Sequence, residues 1–158
     1  MTRFYDIDAA NAAVPELDGI VGVLAEQRAE LVRLRDEVLA AGSSAGDGAT
    51  TAVADRSSRP AATESSGETQ AADPPLVDDL RLTRLRMQGL IDQMAAGVAR
   101  IDAMGLTLRD IEHGLVDFPA LVSGRQVWLC WQRGEPAIGF WHDLETGFSG
   151  RRPLAELS

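Results

Sequence analysis

Residues 114–151 read GLVDFPALVSGRQVWLCWQRGEPAIGFWHDLETGFSGR, and they decide the fold class. The stretch holds all three tryptophans, the only cysteine, one of the two histidines and three of the four phenylalanines. Rare side chains gathered in one place mark a place that packs, binds or reacts. Apolar residues alternate here with polar ones, the period of a half-buried strand. Ser123-Gly124 is a turn signal, and Arg133-Gly134-Glu135-Pro136 reads as a hairpin loop between strands over 126–131 and 137–142. Upstream, residues 106–111 alternate enough for a short strand that Gly114 breaks. Leu115 to Phe118 pairs briefly before Pro119, which suits an edge or a strand end.

The first hundred residues have the helical period instead. Asp6 is placed to cap a helix over 7–41, with Asp8 facing its positive end and a break expected near Pro15. Val14, Leu17, Val21, Leu24, Leu31 and Val38 repeat at spacings of three, four or seven, and Gly42 is a good stop signal. A second helix over 76–105 carries Leu80, Met87, Leu90, Met94, Ile101 and Met104 on one stripe. At ~1.5 Å per residue each helix is on the order of 40 Å long. Residues 42–75 between them are rich in Gly, Ser, Ala, Thr and Pro, and read as a disordered linker. The expectation is a single domain over 1–158 of α+β class. A long antiparallel helical hairpin precedes a small, mostly antiparallel sheet of three or four strands over 106–158.

Charge and composition narrow the partners. The net charge is −9, every basic residue is arginine, and no segment is strongly basic, so nucleic acid is not an expected partner. The apolar runs are too short for a membrane span, the N-terminus MTRFYDID has no apolar leader region, and one cysteine forms no internal disulfide. A cytoplasmic protein is the expectation. Each helical stripe has more apolar width than one partner helix covers. A homodimer is therefore expected, with Leu17, Val21, Leu24, Leu31, Met87, Leu90 and Met94 at the interface. The alternative is a hairpin lying flat on its own sheet.

The chemistry depends on register. With the hairpin centred on Gly134-Glu135, Trp128 faces Trp141, Cys130 faces Gly139 and Val127 faces His142. Cys130 and His142 then point to opposite sides of the sheet, and Cys130 is a buried strand residue without a base. A slip of one residue reverses that conclusion. His113 and His142, with Glu112, Asp117, Asp143 and Glu145, are candidate metal ligands at the sheet rim, although no HExxH or CxxC spacing is present. Glu135 and Arg151 are placed to form an ion pair or a small anion pocket.

The segments FYDIDAANAAVPEL, LVDFPAL, VWLCW, GEPAIGFWH and GFSGRRPL resemble the domain of unknown function 2203 family. The resemblance covers Arg3 to about Leu39 and about Leu76 to Leu154. The family pattern has counterparts here in Pro15, Gly114, Asp117, Phe118, Pro119, Cys130, Trp131, Gly134, Glu135, Trp141, His142, Gly147, Gly150 and Arg151. It carries over no activity and no cofactor, but it raises Asp117, Glu135, His142 and Arg151 as ligand-binding candidates. The leading expectation is a non-catalytic interaction or assembly module with a helical dimer interface. The competing one is a small-ligand- or metal-binding enzyme or sensor at the sheet rim.

Overall fold

A computed structural model describes residues 2–46 and 74–157. Helix α1 spans Ile7–Gly46 and helix α2 spans Pro74–Ala103. A sheet follows from β1 (Thr107–Asp110), β2 (Leu115–Val122), β3 (Arg125–Gln132), β4 (Phe140–His142) and the two-residue β5 (Arg152–Pro153). The strands lie in chain order and every neighbouring pair is antiparallel. The α+β class and the helix-then-sheet order are as expected, with five strands in place of three or four. No helix among the described residues is long and apolar enough to cross a membrane.

Asp6 caps α1 as its sequence position implies, its carboxylate accepting the Ala9 N–H at 2.7 Å. Two expected interruptions do not occur. Pro15 sits inside a continuous helix, and α1 passes Gly42 to end at Gly46. Proline deletes one helical hydrogen bond, but Ala10, Val14, Leu17 and Ile20 on either side are all buried on one face. Packing of that face outweighs the local preference. Most of the expected linker, residues 47–73, lies outside the described residues.

The helices run antiparallel, as the pairs Glu16–Arg100, Gln27–Gln93 and Glu30–Arg86 show. The sheet's inner face presents Val116, Phe118, Ala120, Val127, Leu129, Trp131 and Trp141. These form one core with Tyr5, Leu17, Val21, Leu24 and Ile101 from the N-terminal half and α2. Tyr5 ties the chain start down: its ring meets Phe118 edge-on at 5.2 Å, its hydroxyl donates to Met104 O at 2.5 Å, and its N–H donates to Pro119 O at 2.8 Å. Pro119 is tolerated mid-strand because β1 pairs with β2 only as far as Thr107 opposite Asp117.

This core revises the expected dimer face. Leu17, Val21 and Leu24 are consumed by the chain's own sheet, Leu90 is buried, and Leu31, Met87 and Met94 are half-buried. The hairpin lying on its own sheet is the arrangement found for the N-terminal half of α1.

Two turns fix the sheet. Ser123 and Gly124 both have positive φ (51° and 78°), the backbone of a tight hairpin turn that matches strand twist. Gly114, at φ 66°, lets the β1–β2 turn approach the loop after β3. A Cβ there would lie 2.5 Å from Arg133 Cβ and 3.1 Å from Val21 Cγ1. Gly114→Ala is therefore expected to lose about 1–3 kcal/mol from combined strain and overpacking. Denaturant unfolding measures this, and a change within about 0.5 kcal/mol, the range of ordinary surface substitutions, would contradict the close approach.

Candidate metal centre

The register of β3 against β4 differs by one residue from the tight-hairpin expectation. Trp128 pairs with His142, Leu129 with Trp141 and Cys130 with Phe140. The cause is local hydrogen bonding. Gln132 N–H donates to the Glu135 carboxylate at 2.7 Å, and Ile138 N–H donates to the Asn11 side chain at 2.7 Å. Donors that would extend the ladder are committed elsewhere, so residues 133–139 form a longer loop and β4 begins at Phe140. Trp131 Nε1 fixes that loop by donating to Glu135 O at 2.9 Å.

The slip brings Cys130 and His142 to the same outer face. Asp117 joins them, because β2 sets it directly opposite Cys130. A carboxylate oxygen of Asp117, the Cys130 sulfur and a His142 ring nitrogen lie within 4.8 Å of one another, and all three residues are buried. The expectation that Cys130 and His142 face apart is overturned.

Hydrogen bonds orient two of the three groups. His142 Nδ1 lies 2.8 Å from Asp143 O, a carbonyl that only accepts, so Nδ1 carries the proton. In the neutral ring this leaves a lone pair on Nε2, which lies 3.1 Å from Asp117 Oδ1. The other Asp117 oxygen accepts from Arg109 Nε at 2.8 Å. Arg109 occupies the irregular position between Leu108 and Asp110 where β1 slips against β2, and its guanidinium stacks 5.1 Å from the Trp128 ring centre. Burial, and next the neighbouring Asp117 carboxylate, push the Cys130 thiol up to about 12. Arg151 opposes the shift but does not offset it, so Cys130 is a protonated thiol rather than a nucleophile.

Beside this cluster stands the expected Glu135–Arg151 ion pair. Arg151 Nη2 reaches both carboxylate oxygens, at 2.7 and 3.0 Å. Its guanidinium packs on Phe140 at 3.9 Å and Phe148 at 4.8 Å. The pair braces the segment after β4, and residues 144–148 of that segment border the cluster. Arg109, Leu115, Leu144, Glu145, Gly147 and Phe148 wall a pocket of about 250 Å³, with Asp117, Cys130 and His142 also lining it.

Of the other metal candidates, Glu145 lines the pocket and the rest fall elsewhere. His113 is exposed and pairs with Asp110 at 2.8 Å, which raises the imidazole above its ordinary value and lowers the carboxyl. Glu112 pairs with Arg28 at 3.2 Å, and Asp143 offers the cluster its carbonyl rather than its carboxylate. Of the four ligand-binding candidates, Asp117 and His142 meet directly, while Glu135 and Arg151 form the neighbouring brace. The cluster also takes in Cys130, which the sequence placed on the opposite face, and Arg109, which the sequence did not single out. The cysteine's signal was its place between two tryptophans, and only the register made it legible.

The family model described as an uncharacterized conserved protein, DUF2203, matches residues 3–154. The chain belongs to that family. No curated protein and no solved structure matches it significantly.

Proposed function

We propose that this DUF2203 protein holds a divalent metal ion of the zinc type on Asp117, Cys130 and His142, and binds a small ligand at the coordination position left open. The observation that carries the reading is the convergence of electron pairs. A His142 ring nitrogen and an Asp117 carboxylate oxygen 3.1 Å apart, both buried, hold a proton or a metal ion between them, and the Cys130 sulfur adds a third donor within 4.8 Å. Two ligands on one tetrahedral zinc are about 3.3 Å apart, given metal–ligand bonds of about 2.0–2.2 Å. Imidazole, thiolate and carboxylate are a donor set suited to zinc. The Asp143 carbonyl and Arg109 fit the outer partners that orient such ligands. Three protein ligands beside a pocket correspond to the open pattern of reactive zinc sites. The chemistry such an ion supplies is polarisation of a bound oxygen or activation of water. A reducing cytoplasm suits a lone thiolate ligand, and we place the protein there.

Cobalt(II) loading tests this. A thiolate-to-cobalt absorption band in the near ultraviolet, lost in Cys130→Ser, is expected. A spectrum identical in both proteins would overturn the reading.

A second reading rests on a separate surface. Leu82 and Leu85 of α2 are 64% and 63% exposed, and Leu39 of α1 is 61% exposed. We propose that this outer side of the hairpin meets a second copy of the chain, since helix ends beyond the sheet have only each other to pack on. Light scattering is expected to find a dimer that Leu82→Glu with Leu85→Glu converts to monomer. A monomeric parent chain at every concentration would remove this reading.

A further inference from the structure

The polar groups around the open position point to one kind of ligand. Arg109 uses Nε to hold Asp117, and among the described residues its two terminal nitrogens have no hydrogen-bond partner. The guanidinium is fixed from two sides, by the carboxylate and by the Trp128 ring, while 46% of the side chain stays exposed. It also lines the same pocket as the three ligand residues. A cation held in place with unspent donors beside a metal position is an oxyanion receptor.

We infer, on the basis of the metal reading above, that the ligand is a small monocarboxylate with an apolar body. One carboxylate oxygen meets the ion and the other meets the terminal nitrogens of Arg109. Leu115, Leu144 and Phe148 supply apolar walls for the body, and about 250 Å³ admits a few carbon atoms beyond the carboxylate. A carboxylate is favoured over a phosphate because Arg109 is, among the described residues, the one arginine on the pocket wall, and Glu145 on the same wall repels a second negative charge. Arg151 is committed to Glu135.

The test uses the full chain loaded with cobalt(II) and titrated with isobutyrate, isobutyramide or inorganic phosphate, reading the visible ligand-field bands. Isobutyrate is expected to shift the bands saturably. The uncharged amide is expected to bind at least tenfold more weakly, and phosphate more weakly than isobutyrate. Arg109→Gln should weaken isobutyrate at least tenfold while the thiolate-to-cobalt band persists, and Arg109→Lys should recover part of the loss. Loss of the thiolate band in the parent protein would overturn the metal reading itself. An intact thiolate band with no response to isobutyrate, equal response to the amide, or tighter phosphate binding would overturn the carboxylate inference alone. Unchanged isobutyrate binding in Arg109→Gln would overturn the receptor role of Arg109.

Discussion

Cys130→Ser is expected to lower the zinc affinity proposed for this chain by more than about 100-fold, because even loss of an outer partner to a metal ligand costs 10–100-fold. The substitution is close to isosteric, so the sheet persists while the ion loses its thiolate. His142→Ala removes the second donor and leaves Asp117 buried with Arg109 as its remaining ion-pair partner. Asp117→Asn keeps the shape, removes the charge, and leaves Arg109 without its carboxylate. All three variants should fall together in a competition titration against a chromophoric chelator, whereas His113→Ala, on an exposed turn, should match the parent. Stability gives a second readout. On the metal reading, zinc at about 1,000 times its dissociation constant should add about 4 kcal/mol to the parent protein through binding to the folded state. That increment should vanish in Cys130→Ser. Equal zinc stabilisation of parent and variant would mean that the ion sits elsewhere or nowhere.

The largest loss of stability in the sheet is expected from Trp131→Ala, about 3–5 kcal/mol. Trp131 is fully buried in the core beneath α1, and its indole N–H holds the loop at Glu135 O. Truncation opens a large cavity and frees that loop at once. Trp131→Phe keeps most of the volume and loses the hydrogen bond, so a smaller cost is expected, nearer 1–2 kcal/mol. Guanidinium unfolding in the presence of a chelator separates this effect from metal linkage. A loss below about 1 kcal/mol for Trp131→Ala, the centre of ordinary point-mutant effects, would show that the tryptophan is not the wedge between sheet and helix. Because Glu135 also engages Arg151, the alanine variant should loosen the brace over the metal pocket as well.

Much of the architecture is legible one residue at a time. Asp6 caps α1, Ser123-Gly124 turns β2 into β3, and the alternating stretch over 126–131 becomes β3. Each of these depends on interactions within a few residues. Pro15 shows the limit of local reading. Its break is a local preference of a few kcal/mol, and it yields to a buried face whose partners lie more than a hundred residues away.

The candidate site divides in the same way. Residue types together with the resemblance to the DUF2203 family nominated Asp117, His142, Glu135 and Arg151. They could not say that Cys130 joins Asp117 and His142, nor that Arg109 stands behind the carboxylate. A side chain's face on a strand changes with a shift of one position, and that shift goes with two acceptors, the nearby Glu135 carboxylate and the distant Asn11 amide. Likewise, the helical stripe was plain in the spacing of Leu17, Val21 and Leu24, but spacing shows only that a face is buried. Which surface buries it, the chain's own sheet rather than another helix, was decided by tertiary packing, since apolar attraction is non-directional and follows the area within reach.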